Sequence, residues 1–379
     1  MKKVLLGTTA LLGVGTIAGG AMASDGIKLD VGGFFRTAYQ LNFDDNGEGD
    51  PGNERNVDGV FNDAEVHFKG EVTLDNGITA GARIELEGET ASDQIDESYI
   101  YFSGGFGEVR MGSDDDALAT MCVTPPSSTT NFGVFSPNQW AANTAGFLLS
   151  SNTVCSGVDE SSGGDAEKIA YYTPNFSGFQ LGLSYTPVSA QSQGDVGPHV
   201  GMVQHTPGQS RHNFSAYANY SYEGDGWGLT WGGGGSWEGR VENSEGVDRP
   251  NQDFYQTGLN LSFGSFKVGG AFEYFHDLGL QSDDSNADAW VAGGGVSYNV
   301  DAWTVGLGYS HGSLQAQTEN DNNGHDKMDR VALTGNYDMG PGIALDAELA
   351  YTWTNAADNT SEFDNYDAFE IGIGTAFTF

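Results

Sequence analysis

The sequence predicts an all-β chain: a sixteen-stranded antiparallel transmembrane β-barrel with an inward-folded long third loop. Three observations lead there. Apolar and polar residues alternate in sixteen separate runs. The connections between the runs alternate in length, short then long. One long connection, about 53 residues from Ser113 to Glu167, has no helical or strand period. It nevertheless carries Phe132, Phe135, Trp140, Phe147, Leu148 and Leu149, which want burial. Structureless loops of that length are uncommon and usually functional or disordered. The apolar content argues against disorder, so the loop is expected to fold into something hollow.

The chain opens on a basic pair, Lys2 and Lys3, then an apolar stretch from Val4 to Ile17 and the small-residue triplet Ala21-Met22-Ala23. This is the pattern of a cleaved export signal over residues 1–23. The competing reading is an N-terminal anchor, but the stretch is short and broken by glycine. Residues 24–379 read as a single barrel domain, with segment 114–166 as its constriction loop. No linker interrupts the pattern.

Charge narrows the function classes. There are 52 acidic and 15 basic side chains, a formal charge of −37. Nucleic-acid binding needs basic patches and is excluded on that ground. An acidic surface favours cations, or divalent bridges to anionic neighbours. The two cysteines, Cys122 and Cys155, form no CxxC motif and fit an oxidising compartment. A bridge between them would staple the long loop; the alternative is two free buried thiols.

Each run justifies itself by alternation. In the first, Ile27, Leu29, Val31, Phe35, Tyr39, Leu41 and Phe43 share one face, and Lys28, Asp30, Arg36, Gln40 and Asn42 the other. Val66, Phe68, Val72 and Leu74 repeat the pattern; Asp75-Asn76-Gly77 is a tight turn, and Ile78, Ala80, Ala82, Ile84 and Leu86 return. The runs cover about 27–43, 60–74, 78–88, 95–103, 107–113, 167–174, 178–187, 212–223, 227–239, 253–263, 266–277, 287–299, 303–315, 327–338, 343–355 and 366–379. Several exceed the 9–11 residues, roughly, that a tilted membrane strand needs. Short turns follow the even-numbered runs and long polar loops the odd ones, as in outer-membrane barrels.

Aromatics sort by strand end. Phe263, Phe266, Tyr298, Trp303, Tyr337, Phe377 and Phe379 lie near short turns; Tyr274, Trp290, Tyr309, Tyr351 and Trp353 lie near long loops. Phe266 to Tyr274 spans roughly 20 Å after tilt, close to the apolar band between two aromatic girdles.

The candidate chemistry is on the polar face, which a barrel turns to its lumen. Parity puts Lys28, Arg36, Lys69, Arg83, Arg110, Lys168, Lys267 and Arg330 there. Arg36, Lys69 and Arg83 fall on three adjacent strands and read as a basic ladder, with Lys69 and Arg83 level. Pairing of these bases with Glu65, Glu71 and Glu85 is the plainer alternative. Asp114, Asp115 and Asp116 open the long loop and can face the ladder, or form a solvated acidic turn. Acidic loops at 44–50, 158–165, 282–288 and 318–326 could hold Ca²⁺, but none has EF-hand spacing. Solvated loops are the better reading. The histidines, including His199, His205 and His212, give no strong metal spacing, so the metal assignment stays unknown. Trp231-Gly232-Gly233-Gly234-Gly235 is no phosphate loop; glycine there eases curvature or leaves the lumen open. His311 and Ser313 share an outward face near a strand top, the one arrangement a lipid-cleaving barrel would use. No catalytic set emerges, and neither an enzyme nor a cofactor is expected.

Three stretches carry a family resemblance: FGEVRMGSDDDA (106–117), KIAYYTPNFSGFQLGLSY (168–185) and the terminal FTF. They resemble the general diffusion porins of Gram-negative outer membranes, the alphaproteobacterial branch above all. The resemblance implies three barrels associating, and a third loop forming an eyelet where acids face basic residues on the wall. It makes Asp114, Asp115 and Asp116 the loop side and Arg36, Lys69, Arg83 and Arg110 the wall side. Ser113 stands where related sequences often have arginine, and a disulfide inside the loop is not a general family trait.

The expectation is thus a passive outer-membrane channel for small hydrophilic solutes and ions, cation-preferring, contacting outer-membrane lipid and lipopolysaccharide. The rivals are a substrate-specific channel using Phe135 or Trp140 as a binding track, a lipid-cleaving barrel, and a secreted β-sandwich binding module.

Overall fold

Successive side chains leave a strand on opposite faces, so an alternating run can offer one face to lipid and the other to water. The computed structural model describes residues 26–44, 56–88, 95–129, 131–134, 155, 166–188, 210–239, 251–278, 287–315, 324–355 and 367–379. Among these lie sixteen strands: β1 (Lys28–Asp44), β2 (Asp58–Thr73), β3 (Thr79–Glu87), β4 (Ile95–Gly104), β5 (Gly107–Ser113), β6 (Glu167–Tyr172), β7 (Phe179–Val188), β8 (Arg211–Gly224), β9 (Trp227–Gly239), β10 (Gln252–Phe263), β11 (Phe266–Leu278), β12 (Ala287–Val300), β13 (Trp303–Gln315), β14 (His325–Gly340), β15 (Ile343–Asn355) and β16 (Asp367–Thr378). A short helix, α1 (Ala117–Met121), follows β5. The alternating runs match these strands to within two residues at every end. The end of β6 shows why small differences arise. Alternation carries on to Pro174, but proline has no N–H for the ladder, and the strand stops at Tyr172.

Every strand pairs antiparallel with its neighbour in sequence, and β1 pairs with β16, so the sheet closes on itself. The seam runs from Phe34 opposite Thr378 to Asp44 opposite Ala368. Gly33 and Phe379 extend it by exchanging two backbone hydrogen bonds of 3.1 Å. Closure is what hydrocarbon demands, because an open edge strands N–H and C=O groups at several kcal/mol each, roughly. No described helix is long and apolar enough to cross a membrane; the strands do the crossing. One closed sheet also rules out the two-layer sandwich.

The two faces divide as alternation requires. Leu29, Val31, Phe35, Phe68, Ile84, Leu259, Leu307, Leu333, Leu349 and Ile373 are exposed on the outside. Aromatic rings meet at both ends of that surface. At the short-turn end, Phe266 lies 4.6 Å from Tyr298 and Trp303 lies 4.6 Å from Tyr337. At the long-loop end, Tyr351 lies 5.7 Å from Trp353. The inner face instead buries Gln40, Ser184, Gln256, Glu273, Arg330, Glu348 and Glu370.

The segment 1–23 expected to be a leader, Phe135, Trp140, Phe147, His199, His205 and most of the acidic long-loop residues lie outside the described residues.

Candidate functional site

The lumen wall beside the base of the third long loop is built by β1–β6. Register places Lys69 directly opposite Arg83, so two rungs of the expected basic ladder are level. Arg36 is elsewhere: it faces Asp63, while Asp30 stands opposite Lys69. Six residues along β2 separate Asp63 from Lys69, about 20 Å at strand rise.

Each of these bases meets a carboxylate within the wall. Arg36 pairs with Asp63 at 3.3 Å and stacks its guanidinium 3.9 Å from the Phe34 ring centroid. Lys69 pairs with Glu71 at 3.0 Å, and Arg83 pairs with Glu85. Arg110 donates to Glu108 at 2.7 Å and to both oxygens of Asp114 at 3.2 Å. Its guanidinium lies between the rings of Tyr99, at 5.1 Å, and Tyr172, at 4.8 Å. Of the pairings weighed as the plainer alternative, those of Glu71 with Lys69 and Glu85 with Arg83 are present; Arg36 takes Asp63 instead, and Glu65 meets His67.

The three consecutive aspartates have different surroundings. Asp114 is buried against Arg110, and the Lys168 amine donates to its backbone carbonyl. Burial pushes its carboxyl above the ordinary value, while the adjacent Arg110 acts in the opposite sense. Asp115 is half-buried. Asp116 turns back on its own chain: it is the N-cap of α1 and accepts the Ala119 N–H at 2.7 Å. Aspartate is well suited to that position because its oxygen satisfies a helix donor that has no partner in the helix. So Arg110 and Asp114 come together, Lys69 and Arg83 come together, and Arg36 and Asp116 stand apart from both pairs.

From α1 onward the described part of the loop runs along the inner wall. Ala117 N–H donates to Ser184 on β7 at 3.1 Å. Val123 accepts from Gln256 on β10 at 3.1 Å and donates to Tyr217 on β8 at 3.2 Å. Thr124 accepts from Asn260 at 2.8 Å. Ser128 bonds the Thr334 hydroxyl on β14. On β15, Asp346 accepts from the Asn131 amide and Glu348 from the Gly133 N–H, each at 2.7 Å. Glycines in the wall make room for this path. A Cβ on Gly295 would lie 2.6 Å from the Pro126 carbonyl, and one on Gly372 would lie 2.6 Å from the Phe132 ring. A Cβ on Gly258 or Gly232 would run into Val123. Glycine was expected here to ease curvature or widen the lumen; at these positions it seats the loop.

Cys122 and Cys155 are joined, with Cα atoms 6.0 Å apart. Cys155 also donates its N–H to Glu273 on β11 at 2.9 Å, so the bridge is tied to the wall.

Sequence reasoning missed Asp346, Glu348 and Glu370, and it placed Arg330 on the polar face without a role. Arg330 pairs with Glu348 at 2.9 Å and Glu370 at 2.6 Å, all three essentially buried. Parity puts all four on the lumen face, but the loop partners of Asp346 and Glu348 are 215 residues away and no local signal links them. The outward candidates for catalysis have other surroundings. His311 faces Asp329 at 2.6 Å, and Ser313 is buried.

A closed barrel with an apolar belt outside, a charged wall inside and a segment laid along that wall defines a membrane channel. Comparisons with known proteins sharpen the class. The model of the family described as Gram-negative porin matches residues 7–357. The chain is similar to a monosaccharide porin of Halomonas sp and to the major outer membrane protein of Halomonas elongata, in each case 26% identical with all of both chains covered. Among solved structures it resembles OmpT of Vibrio cholerae in its trimer form, with a TM-score of 0.61 at 14% identity, covering 94% of this chain and 100% of that one. It also resembles an anion-selective porin from Comamonas acidovorans, with a TM-score of 0.57 at 18% identity and the same coverage. The chain belongs to the Gram-negative porin family. It is a non-enzymatic diffusion channel of the bacterial outer membrane.

Proposed function

We propose that this channel passes small hydrophilic solutes with a preference for cations, and that segment 114–166 narrows its bore. The observation that carries the reading is the charge count on the lumen wall beside the loop base. Arg36, Lys69, Arg83 and Arg110 each have a carboxylate partner; beyond these pairs the wall adds Lys168 and His67 on the basic side and Glu65, Glu87, Asp96 and Asp115 on the acidic side, so acids still outnumber bases. In a narrow aqueous passage such fixed charges set which ion enters. Asp114 and Asp115 would form the loop side of the constriction and Lys69, Arg83 and Arg110 the wall side, with Asp116 holding α1 in place and Arg36 acting farther along the wall.

Size sets the cutoff and opposed charges orient the solute. The relative named a monosaccharide porin supports sugar-sized neutral solutes among those passed. The trimer form of the Vibrio cholerae structure supports a homotrimer; the exposed apolar outer face would meet lipid and lipopolysaccharide. Passive diffusion needs no cofactor, and the leader at 1–23 would be removed on export, leaving 24–379 as the barrel domain.

The test is the reversal potential under a KCl gradient in planar bilayers. Wild type should be cation-selective, more so at low salt, where charges beyond about 8 Å are no longer screened. Changing Asp114, Asp115 and Asp116 together to Asn should move the potential toward anions. An anion-selective wild-type channel would overturn the preference.

A further inference from the structure

Among the described residues, three groups bring three metal-ligating side chains together: Glu65–His67–Glu85, Glu65–Glu87–Asp96 and His276–Asp277–Asp288. Proton placement separates them. His67 Nε2 is 2.7 Å from Glu65 and 3.0 Å from Glu85, which suits a metal. Its Nδ1, however, lies 3.3 Å from Arg83 Nη2, a group that can only donate. Nδ1 therefore accepts, Nε2 carries the proton, and the ring has no lone pair left for an ion. The second group has no nitrogen and is an acidic cluster only.

The third group is arranged the other way. His276 Nδ1 lies 2.9 Å from Asp288 Oδ1, and a carboxylate can only accept. The proton on Nδ1 is thus committed to Asp288, and Nε2 faces Asp277 Oδ2 at 3.5 Å, too long for a good hydrogen bond, which makes it the nitrogen an ion would take. Asp288 is itself held: its Oδ2 accepts the Tyr274 hydroxyl at 2.8 Å, and its Oδ1 accepts the Asp277 N–H at 3.2 Å. A carboxylate on the far nitrogen of an imidazole is the arrangement that orients metal-bound histidines. The register shift between Phe275 and Leu278 on β11 sets Asp277 beside the ring, at the long-loop end of the barrel.

We propose that His276 and Asp277 bind a divalent transition-metal ion of the Zn²⁺ or Cu²⁺ kind, with Asp288 as the positioning residue and water completing the shell. An ion about 2.0–2.1 Å from each ligand atom would close the 3.5 Å gap at roughly 117°, near tetrahedral. The barrel carries its own control. His311 has the same support, with Asp329 2.6 Å from Nδ1 and Tyr309 hydrogen-bonded to Asp329, but it belongs to no described group of three ligands.

The experiment is calorimetric titration of the folded, detergent-solubilised protein with Zn²⁺ alone, paired with Cu²⁺ spin resonance. Wild type should bind one ion per protomer, with a one-imidazole nitrogen signature from Cu²⁺. His276→Ala should remove the signature and weaken binding at least tenfold. Asp277→Asn should weaken binding several-fold, and Asp288→Asn by about tenfold. His311→Ala and His67→Ala should bind as wild type. Heat-modifiable migration reports folding of each variant, and Asp277→Asn decides the matter if His276→Ala does not fold. Wild-type affinity in both His276→Ala and Asp277→Asn, or loss of binding in His67→Ala instead, would overturn the assignment.

Discussion

Glu348 holds the loop with one oxygen and Arg330 with the other: Gly133 N–H reaches its Oε2 at 2.7 Å and the guanidinium its Oε1 at 2.9 Å. The far end of the described loop is therefore anchored to a buried charge group on β14, β15 and β16. Removing Arg330 would leave Glu348 and Glu370 buried without compensation, which costs about 3–5 kcal/mol in comparable pairs. Arg330→Ala should lower the melting temperature of the purified barrel, and Glu348→Gln should do so less while raising open-channel noise. Equal melting temperatures for wild type and Arg330→Ala would show that this charge group does not anchor the barrel.

The wall glycines predict a steric effect on conduction. Gly295→Val and Gly258→Ala put carbon where the Pro126 and Val123 carbonyls lie, so the loop must shift. Single-channel conductance should change while heat-modifiable assembly stays at wild-type level. Gly335→Ala adds a methyl where nothing lies within 4 Å and serves as the control. Conductance identical in all three variants would mean the loop does not limit flow.

Cys122 and Cys155 set a third expectation. A bridge across 33 positions is worth about 3–4 kcal/mol in the chain-entropy picture. Replacing both with Ser should leave the barrel folded and loosen the loop, seen as larger current fluctuations that reductant reproduces in wild type. Thiol titration of denatured, unreduced protein should find none free.

Barrel closure gives the fourth. Phe379 pairs both of its backbone groups with Gly33 and stacks its ring 5.7 Å from Phe377. Deleting Phe379 should cut the amount of heat-modifiable protein recovered from the outer membrane. Wild-type recovery would show that the seam tolerates the loss.

The barrel was legible in the chain because its signals are local. Strand alternation needs only nearest neighbours: Ile27 to Phe43 declares its two faces without reference to any other segment. Turn chemistry is equally local, as Asp75-Asn76-Gly77 shows, and sixteen runs with alternating connections leave few ways to close a sheet in lipid. The Lys69–Arg83 rung followed from their equal distance to that turn.

What only the tertiary structure decided depends on contacts between distant segments. Asp116 looks like its two acidic neighbours in sequence, but the helix that begins at the next residue, Ala117, makes it a cap. Arg36 lies on the expected face yet at a different height, because register between strands, rather than parity within one, sets height. Gly295 and Gly372 are ordinary strand glycines until Pro126 and Phe132 come to rest on them. Glu348 acquires its role only when Gly133, 215 residues away, comes to rest against it. A single sequence encodes the wall through short-range periodicity; the fit between loop and wall comes from shape and charge matched over long range, which no local pattern records.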